Sequence, residues 1–209
     1  MQEPLLAWAI KNAKSANITK EVHVNTDSYS YAEIAKAYGA ETPFLRPPDL
    51  SSDQSLAIDV YIHHLFHMQE AGKFYEDLMV LQPTSPLRFK SDIKRAYLKY
   101  KESNCLSLLS VTEFHGRFSW LLNIDDSKKV TRITSDPILL NRQAEKKIFS
   151  PNGAIFIVNT KHFIAERTFY FPSTEAYVMA QQRSIDIDTE DDLETAELIA
   201  ASKYHHEYK

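Results

Sequence analysis

A chain of 209 residues with 44% hydrophobic side chains is long enough to bury the core of one α/β domain. No apolar run approaches the roughly 20 residues a membrane span requires, and a net charge of −4 argues against a general nucleic-acid surface. The single cysteine, Cys105, lies in an apolar run and cannot form an internal disulfide, which fits a reducing cytoplasm. The four glycines, Gly39, Gly72, Gly116 and Gly153, are too scattered to build a Rossmann fingerprint or a Walker A loop.

In chain order, MQEPLLAWAIKNAKSA places Leu5, Leu6, Ala9, Ile10 and Ala13 at helical spacing, an amphipathic helix rather than a secretory leader. Residues 21–27 alternate Val22 and Val24 and end in the polar tip Asn25-Thr26-Asp27, a strand. Residues 31–38 read as helix, closed by Gly39 in the C′ position. Residues 41–45 form a short strand that Arg46-Pro47-Pro48 breaks into a loop, and residues 55–70 a long amphipathic helix. The run 77–82, DLMVLQ, is nearly all apolar, as expected of a central parallel strand covered on both faces. Pro83 and Pro86 force a loop before a helix starting near Ser91, and residues 104–111 form the next buried strand. Alternation of this kind predicts a doubly wound, mostly parallel sheet.

After Thr112 the order changes. Residues 118–124, 129–133, 154–158 and 175–179 read as strands with little helix between them, and 142–147 as a charged irregular segment. Residues 113–180 are therefore assigned to an insertion within a single domain spanning 1–209, an arm suited to a subunit contact. At Ser184 the chain returns to the main sheet with SIDIDTEDDLETAEL. On a strand, Asp186 and Asp188 would share one face with Cα atoms about 6.6 Å apart, so both carboxylates can meet one hard cation. A helix follows, with Thr189 at its N-cap and acids in its first turn. Service to that helix N-terminus is the alternative reading of the same acids. Ligands of open parallel sheets bind outside the carboxyl strand ends. The tips gathered there, Asn25 to Asp27, Arg46, Gln82 to Ser85 and Asp188, have the makings of a nucleotide–metal site.

The segments VNTDSYSYAEIAKAYGA, FLRPPDLSSDQS, LQPTSPLR, NRQAEKKIFSPNGAIFI and SIDIDTEDDL occur in this order. Together they resemble the acylneuraminate cytidylyltransferases, or CMP-sialic acid synthetases, from Pro4 to about Ile199. The resemblance implies a Rossmann-like nucleotide-diphospho-sugar transferase fold with a dimerisation arm. It implies that CTP is joined, with Mg²⁺, to the C2 hydroxyl of sialic acid or a related nonulosonate, releasing pyrophosphate. It implies a homodimer, and places Arg46 and Ser55 on the nucleotide, Gln82 on the sugar acid, with Ser85 and Asn152 as further substrate contacts. Arg142 matches an active-site arginine, and Asp186 and Asp188 match the metal-binding aspartates, the three forming the expected catalytic set. Arginine suits phosphate or carboxylate oxygens because its planar fork binds them bidentately.

The departures carry expectations too. The family reads IPARGGSKGIPGKN ahead of GKPLIAW, whereas this chain reads QEPLLAW from Gln2, so the nucleotide loop with its arginine, lysine and asparagine is expected to be missing. Weak CTP binding and poor turnover would follow. A catalytically inactive member serving as a binding or oligomerisation partner is the alternative function, separable by the sequence upstream of Met1. His63, His64 and His67 share a helix but bring no second-shell or third-ligand pattern, so a solvated or amphipathic helix face is preferred over a transition-metal site. Phe169, Tyr170 and Phe171 read as arm core or subunit contact.

Overall fold

In a computed structural model of the chain, which describes residues 3–19, 21–116, 120–134 and 147–204, the amino-terminal apolar spacing folds as helix α1 (Leu5–Ala16). Its buried stripe is Ala7, Ala9, Ile10, Ala13 and Ala16, and Asn17 ends it in the left-handed region. Ser28 caps α2 (Tyr29–Ala37) by accepting the Tyr31 N–H.

The strands expected at 21–27 and 41–45 meet only at two isolated parallel bridges, His23 with Glu41 and Thr26 with Leu45. Glu41 accepts from Val24 N and donates to Val22 O, and Arg46 N donates to Thr26 O. The donor that would complete the ladder between these contacts belongs to Pro43, which has no N–H. One proline thus reduces a strand pair to two points.

Helix α3 (Ala57–Glu70) leads to β1 (Asp77–Val80), α4 (Lys90–Ser103) and β2 (Ser107–Glu113). A hairpin of β3 (Leu122–Ile124) and β4 (Val130–Arg132) precedes the long β5 (Phe149–Asn159). Then come α5 (Thr160–Glu166), β6 (Glu175–Met179) and α6 (Glu190–Lys203). The main sheet has the order β1-β5-β2-β6. β5 is antiparallel to both neighbours and β2 is parallel to β6, so β1, β2 and β6 run one way and β5 alone opposes them.

This α/β arrangement differs in detail from the sequence reading. β1 lies at the end of the strand order rather than at its centre, and β5 takes the central place. The reason is apolar content. Ala154, Ile155, Ile157 and Val158 of β5 are wholly buried, whereas every residue of β1 is only half-buried. Ile155 and Ile157 join Leu108, Ile93 and Ala96 on one face, while Val158 joins Ile62, Leu65 and Phe163 on the other. Each fully buried aliphatic side chain of this kind contributes about 1.5–3 kcal/mol.

Within the segment 113–180, read from the sequence as an insertion, β5 and β6 belong to the main sheet. Among the described residues the β3–β4 hairpin alone stands in a separate two-stranded sheet. Phe169 and Phe171 are buried in the core against Phe163, leaving Tyr170 exposed. No helix among the described residues is long and apolar enough to cross a membrane.

The histidine helix is the amphipathic one of the two expected kinds. His64 is buried, and Phe44 packs on His63, His64 and His67. The Asn25 amide nitrogen, 3.5 Å from His64 Nδ1, can only donate, so the hydrogen bonds run outward from it. His64 Nε2 then donates to His23 Nδ1 at 3.0 Å, and His23 Nε2 to Glu21 Oε2 at 3.1 Å. Burial and the neighbouring His23, His67 and His63 lower the His64 pKa from 6.5 to about 4.

A histidine with a depressed folded-state pKa stabilises the fold above its unfolded pKa and loses that contribution as pH falls toward the folded value. Between pH 6.5 and about 4 the unfolding free energy should therefore drop by up to about 3 kcal/mol on account of His64. Urea unfolding of the wild type and His64→Gln at pH 7 and pH 4.5 checks this: the variant should show the smaller pH dependence.

Candidate active site

Two prolines, Pro83 and Pro86, prevent β1 from continuing and turn the chain into a loop before α4. The last β1–β5 pair is Val80 with Phe156, and the same register continued would set Gln82 opposite Ala154. No backbone pair forms there. Instead the buried Arg88 donates through Nη1 to Gln82 O at 3.0 Å and to Ala154 O at 2.8 Å.

Beside this link is Gly153, whose φ of +73° lies in the left-handed region. A Cβ at this position would meet Gln82 Oε1 at 2.3 Å and Asp186 Oδ2 at 3.2 Å. Only a glycine allows the Gln82 side chain and the Asp186 carboxylate to approach the same point. The Gln82 amide oxygen is buried and has no hydrogen-bond partner among the described residues.

Asp186 and Asp188 sit on an irregular extended segment, 184–189, rather than on a paired strand. The alternation expected of a strand nevertheless holds. Ile185 and Ile187 pack against Leu87, Ala196 and Ala200, and both aspartates are exposed. A single backbone bond, Ile187 N to Thr84 O at 2.9 Å, fastens this segment to the Gln82 loop. Downstream, Thr189 caps α6, and Asp192 answers with bonds from the Asp188 and Thr189 N–H groups.

Upstream, the segment is anchored by Asp92, which is wholly buried in the first turn of α4. Asp92 accepts from Phe89 N, Arg95, the Tyr177 hydroxyl and Arg183, the last lying one residue before Ser184. Burial alone would raise its pKa. The bonds from Arg183, the Phe89 N–H and Tyr177, with the Arg183 charge, outweigh this and hold the carboxyl below its ordinary value.

Arg46 and Ser55 line a cleft of about 300 Å³ together with Ser51, Ser52, Val60 and Tyr61. Arg46 directs Nε to the Ser51 hydroxyl at 3.1 Å and Nη2 to Asp27 at 3.3 Å. Ser55 Oγ accepts from Ser52 N and lies against Asp49 O, which holds the 49–55 turn together. Burial raises the Tyr61 pKa even though the nearby Arg46 charge acts to lower it. A guanidinium flanked by hydroxyls at a cleft wall suits phosphate oxygens.

Ser85 and Asn152, expected as substrate contacts, are both buried. Ser85 is 1% exposed, and its buried hydroxyl has no partner among the described residues. Asn152 Oδ1 accepts from Ser110 Oγ and Ala154 N, while Nδ2 donates to Ser184 Oγ and approaches Met179 Sδ. That amide is engaged inside the protein. Arg142 lies outside the described residues.

Among the described residues no group of three or more His, Cys, Asp or Glu converges on one point. The donors that do converge are hard oxygens, Asp186 Oδ2 and Gln82 Oε1, with exposed Asp188 two residues on. Mg²⁺ uses one or two carboxylates and leaves room for water and phosphate oxygens, so this donor set fits it. Sequence reasoning passed over Arg88, Ser110 and Gly153 as parts of the site. A lone arginine between Leu87 and Phe89 in an apolar run was the available signal for a buried guanidinium.

The sequence profile of a family described as Cytidylyltransferase matches residues 1–206. The CMP-N,N′-diacetyllegionaminic acid synthase of Legionella pneumophila is 34% identical over 188 residues, covering 90% of this chain and 81% of that protein. The N-acylneuraminate cytidylyltransferase of Escherichia coli is 32% identical over 206 residues, covering 97% of this chain but 47% of that protein, so the chain spans about half its length. Among solved structures, a CMP:2-keto-3-deoxy-manno-octonic acid synthetase complexed with CTP superposes with a TM-score of 0.68. It covers 96% of this chain and 89% of its own, at 13% identity, a likeness of fold alone.

Gly153→Ala should be destabilised by about 1–3 kcal/mol, combining left-handed backbone strain with displacement of the Gln82 side chain. Urea denaturation measures the loss; a variant as stable as the wild type would show that the cradle has slack.

Proposed function

As a member of the cytidylyltransferase family, this chain is one that we propose transfers a cytidylyl group from CTP to the C2 hydroxyl of a sialic-acid-like nonulosonate. In this reaction the hydroxyl oxygen forms a bond to the α-phosphorus, the bond to the β-phosphate breaks, and pyrophosphate and the hydroxyl proton depart. The observation that carries the reading is the meeting of Gln82 and Asp186 at Gly153. It joins a neutral amide suited to a sugar acid and a carboxylate suited to a cation in one cradle.

Arg46 binds triphosphate oxygens through its planar fork, held in aim by Asp27 and Ser51. Ser55 borders the same cleft on the nucleotide side. Gln82 orients the sugar acid, and Asp186 with Asp188 holds Mg²⁺. When bound, Mg²⁺ supplies Lewis-acid stabilisation to the charge on the reacting phosphate. Phosphoryl transfer depends mainly on positioning and charge neutralisation, and these residues divide that work. The need for CTP and the buried, unpaired thiol of Cys105 support a cytoplasmic setting.

The β3–β4 hairpin supports a homodimer. Trp120, Leu122, Ile124 and Val130 are all more than half exposed on it. Two-stranded hairpins are marginal in water unless their apolar side is covered, and a second copy would cover this one.

Pyrophosphate release with CTP, Mg²⁺ and N-acetylneuraminic or legionaminic acid tests the chemistry. The wild type should bind CTP weakly and release pyrophosphate slowly, EDTA should stop that release, and Asp186→Asn should lower kcat/KM by a further factor of about 100. Undiminished activity in that variant would remove Asp186 from the reaction. Sedimentation at micromolar concentration should give a dimer that Ile124→Glu converts to monomer.

A further inference from the structure

We propose that Arg88 is a positioning residue for cytidylyl transfer, a buried guanidinium that replaces a missing rung of the sheet and so sets the separation of Gln82 from Gly153, the point that Asp186 also approaches. The inference rests on the reading of the Gln82 and Asp186 side chains as the reaction centre.

The argument begins with β5, whose register breaks on both sides at the same place. Toward β1 the ladder stops at Val80 with Phe156. Toward β2 the pairs jump from Leu109 with Phe156 to Val111 with Pro151, leaving Ser110 alone opposite 152–155. This bulge has backbone groups that no neighbouring strand can satisfy.

Side chains satisfy them. On the β2 side, Ile155 N donates to Ser110 Oγ at 2.7 Å, and Ser110 Oγ donates to Asn152 Oδ1 at 2.6 Å. On the β1 side, Ala154 O accepts from Arg88 Nη1, the same nitrogen that binds Gln82 O. Gln82 and Ala154 are the residues that the β1–β5 register would place face to face. Arg88 therefore wedges between two carbonyls, one at the root of Gln82 and the other beside Gly153. A guanidinium nitrogen carries two N–H bonds in fixed planar geometry, one for each carbonyl, which a flexible ammonium does not reproduce.

Arg88 is 1% exposed, so its removal leaves the Gln82 and Ala154 carbonyls buried without this donor, which itself lowers stability. A role in stability alone would reduce the folded fraction and leave kcat per folded molecule intact, whereas a role in positioning the reaction centre lowers both.

The test compares Arg88→Met and Arg88→Lys with the wild type by melting temperature, pyrophosphate-release kinetics and amide hydrogen exchange, with CTP, Mg²⁺ and N-acetylneuraminic acid as probes. For Arg88→Met we expect kcat per folded molecule to fall roughly 10- to 100-fold, the scale of a small misplacement of reacting groups. KM for CTP should stay within about threefold, since the Arg46–Ser55 cleft is untouched. Arg88→Lys should retain more of kcat and serves if the methionine variant does not fold. Amides of Ser85, Gly153 and Ala154 should exchange faster in both variants while those of the β2–β6 pair keep their protection. Wild-type kcat in a folded Arg88→Met overturns the proposal, as does a loss that only tracks the folded fraction. If the wild type itself releases no pyrophosphate, the functional reading fails, and exchange alone decides Arg88: unchanged protection at 153–154 overturns it.

Discussion

The structure turns on one strand that runs against its neighbours. β5 is antiparallel to β1 and β2, occupies the middle of the sheet, and supplies its most buried side chains. An unbroken strand there would align its backbone with both partners and leave no room at the rim. The bulge at 152–155 breaks the alignment, and the left-handed Gly153 within it opens the point where Gln82 and Asp186 meet. Two parts of the site are fastened to that opening. The Gln82 loop is tied to it by Arg88, and the aspartate segment by Ser184 through Asn152.

The proposed chemistry falls on two differently built regions. The cradle is supported by buried side chains, including Asp92, whose bonds to Arg183 and Tyr177 hold the turn entering the aspartate segment. Arg46 and the serine turn form a more open cleft whose members bond chiefly to their own neighbours in sequence. Such a division suits a reaction in which a long, charged nucleotide must enter while the metal and sugar groups are held in register. It also fits a family whose members act on related but distinct sugar acids, since the cradle can stay fixed while its surroundings vary.

Much of this was legible in the residues. Helical spacing located α1, α2, α3 and α4, Thr189 announced the α6 cap, and the isoleucine–aspartate alternation put both acids outward without a paired strand. Direction was not legible. PNGAIFIV reads as a buried strand whichever way it runs, and nothing local says that it inserts between β1 and β2. Pro43 was visible, but its effect on the bridge between 21–27 and 41–45 depends on which donor the pairing needs. Asn152 and Ser85 were expected as contacts from the family resemblance; both are buried, and Asn152 bonds to Ser110 within the bulge, which only the three-dimensional register reveals. The buried His64 was hidden for the same reason, as its partners His23 and Asn25 are about 40 positions away in the chain.

The central claim is that the meeting point of Gln82, Gly153 and Asp186 is a metal–nucleotide centre. Anomalous diffraction from crystals grown with Mn²⁺ and CTP tests it most directly. One strong peak is expected at coordination distance, about 2.0–2.2 Å, from an Asp186 carboxylate oxygen, with phosphate density between it and Arg46. A peak on the His23–His64 pair, or a nucleotide bound away from this cradle, would contradict it.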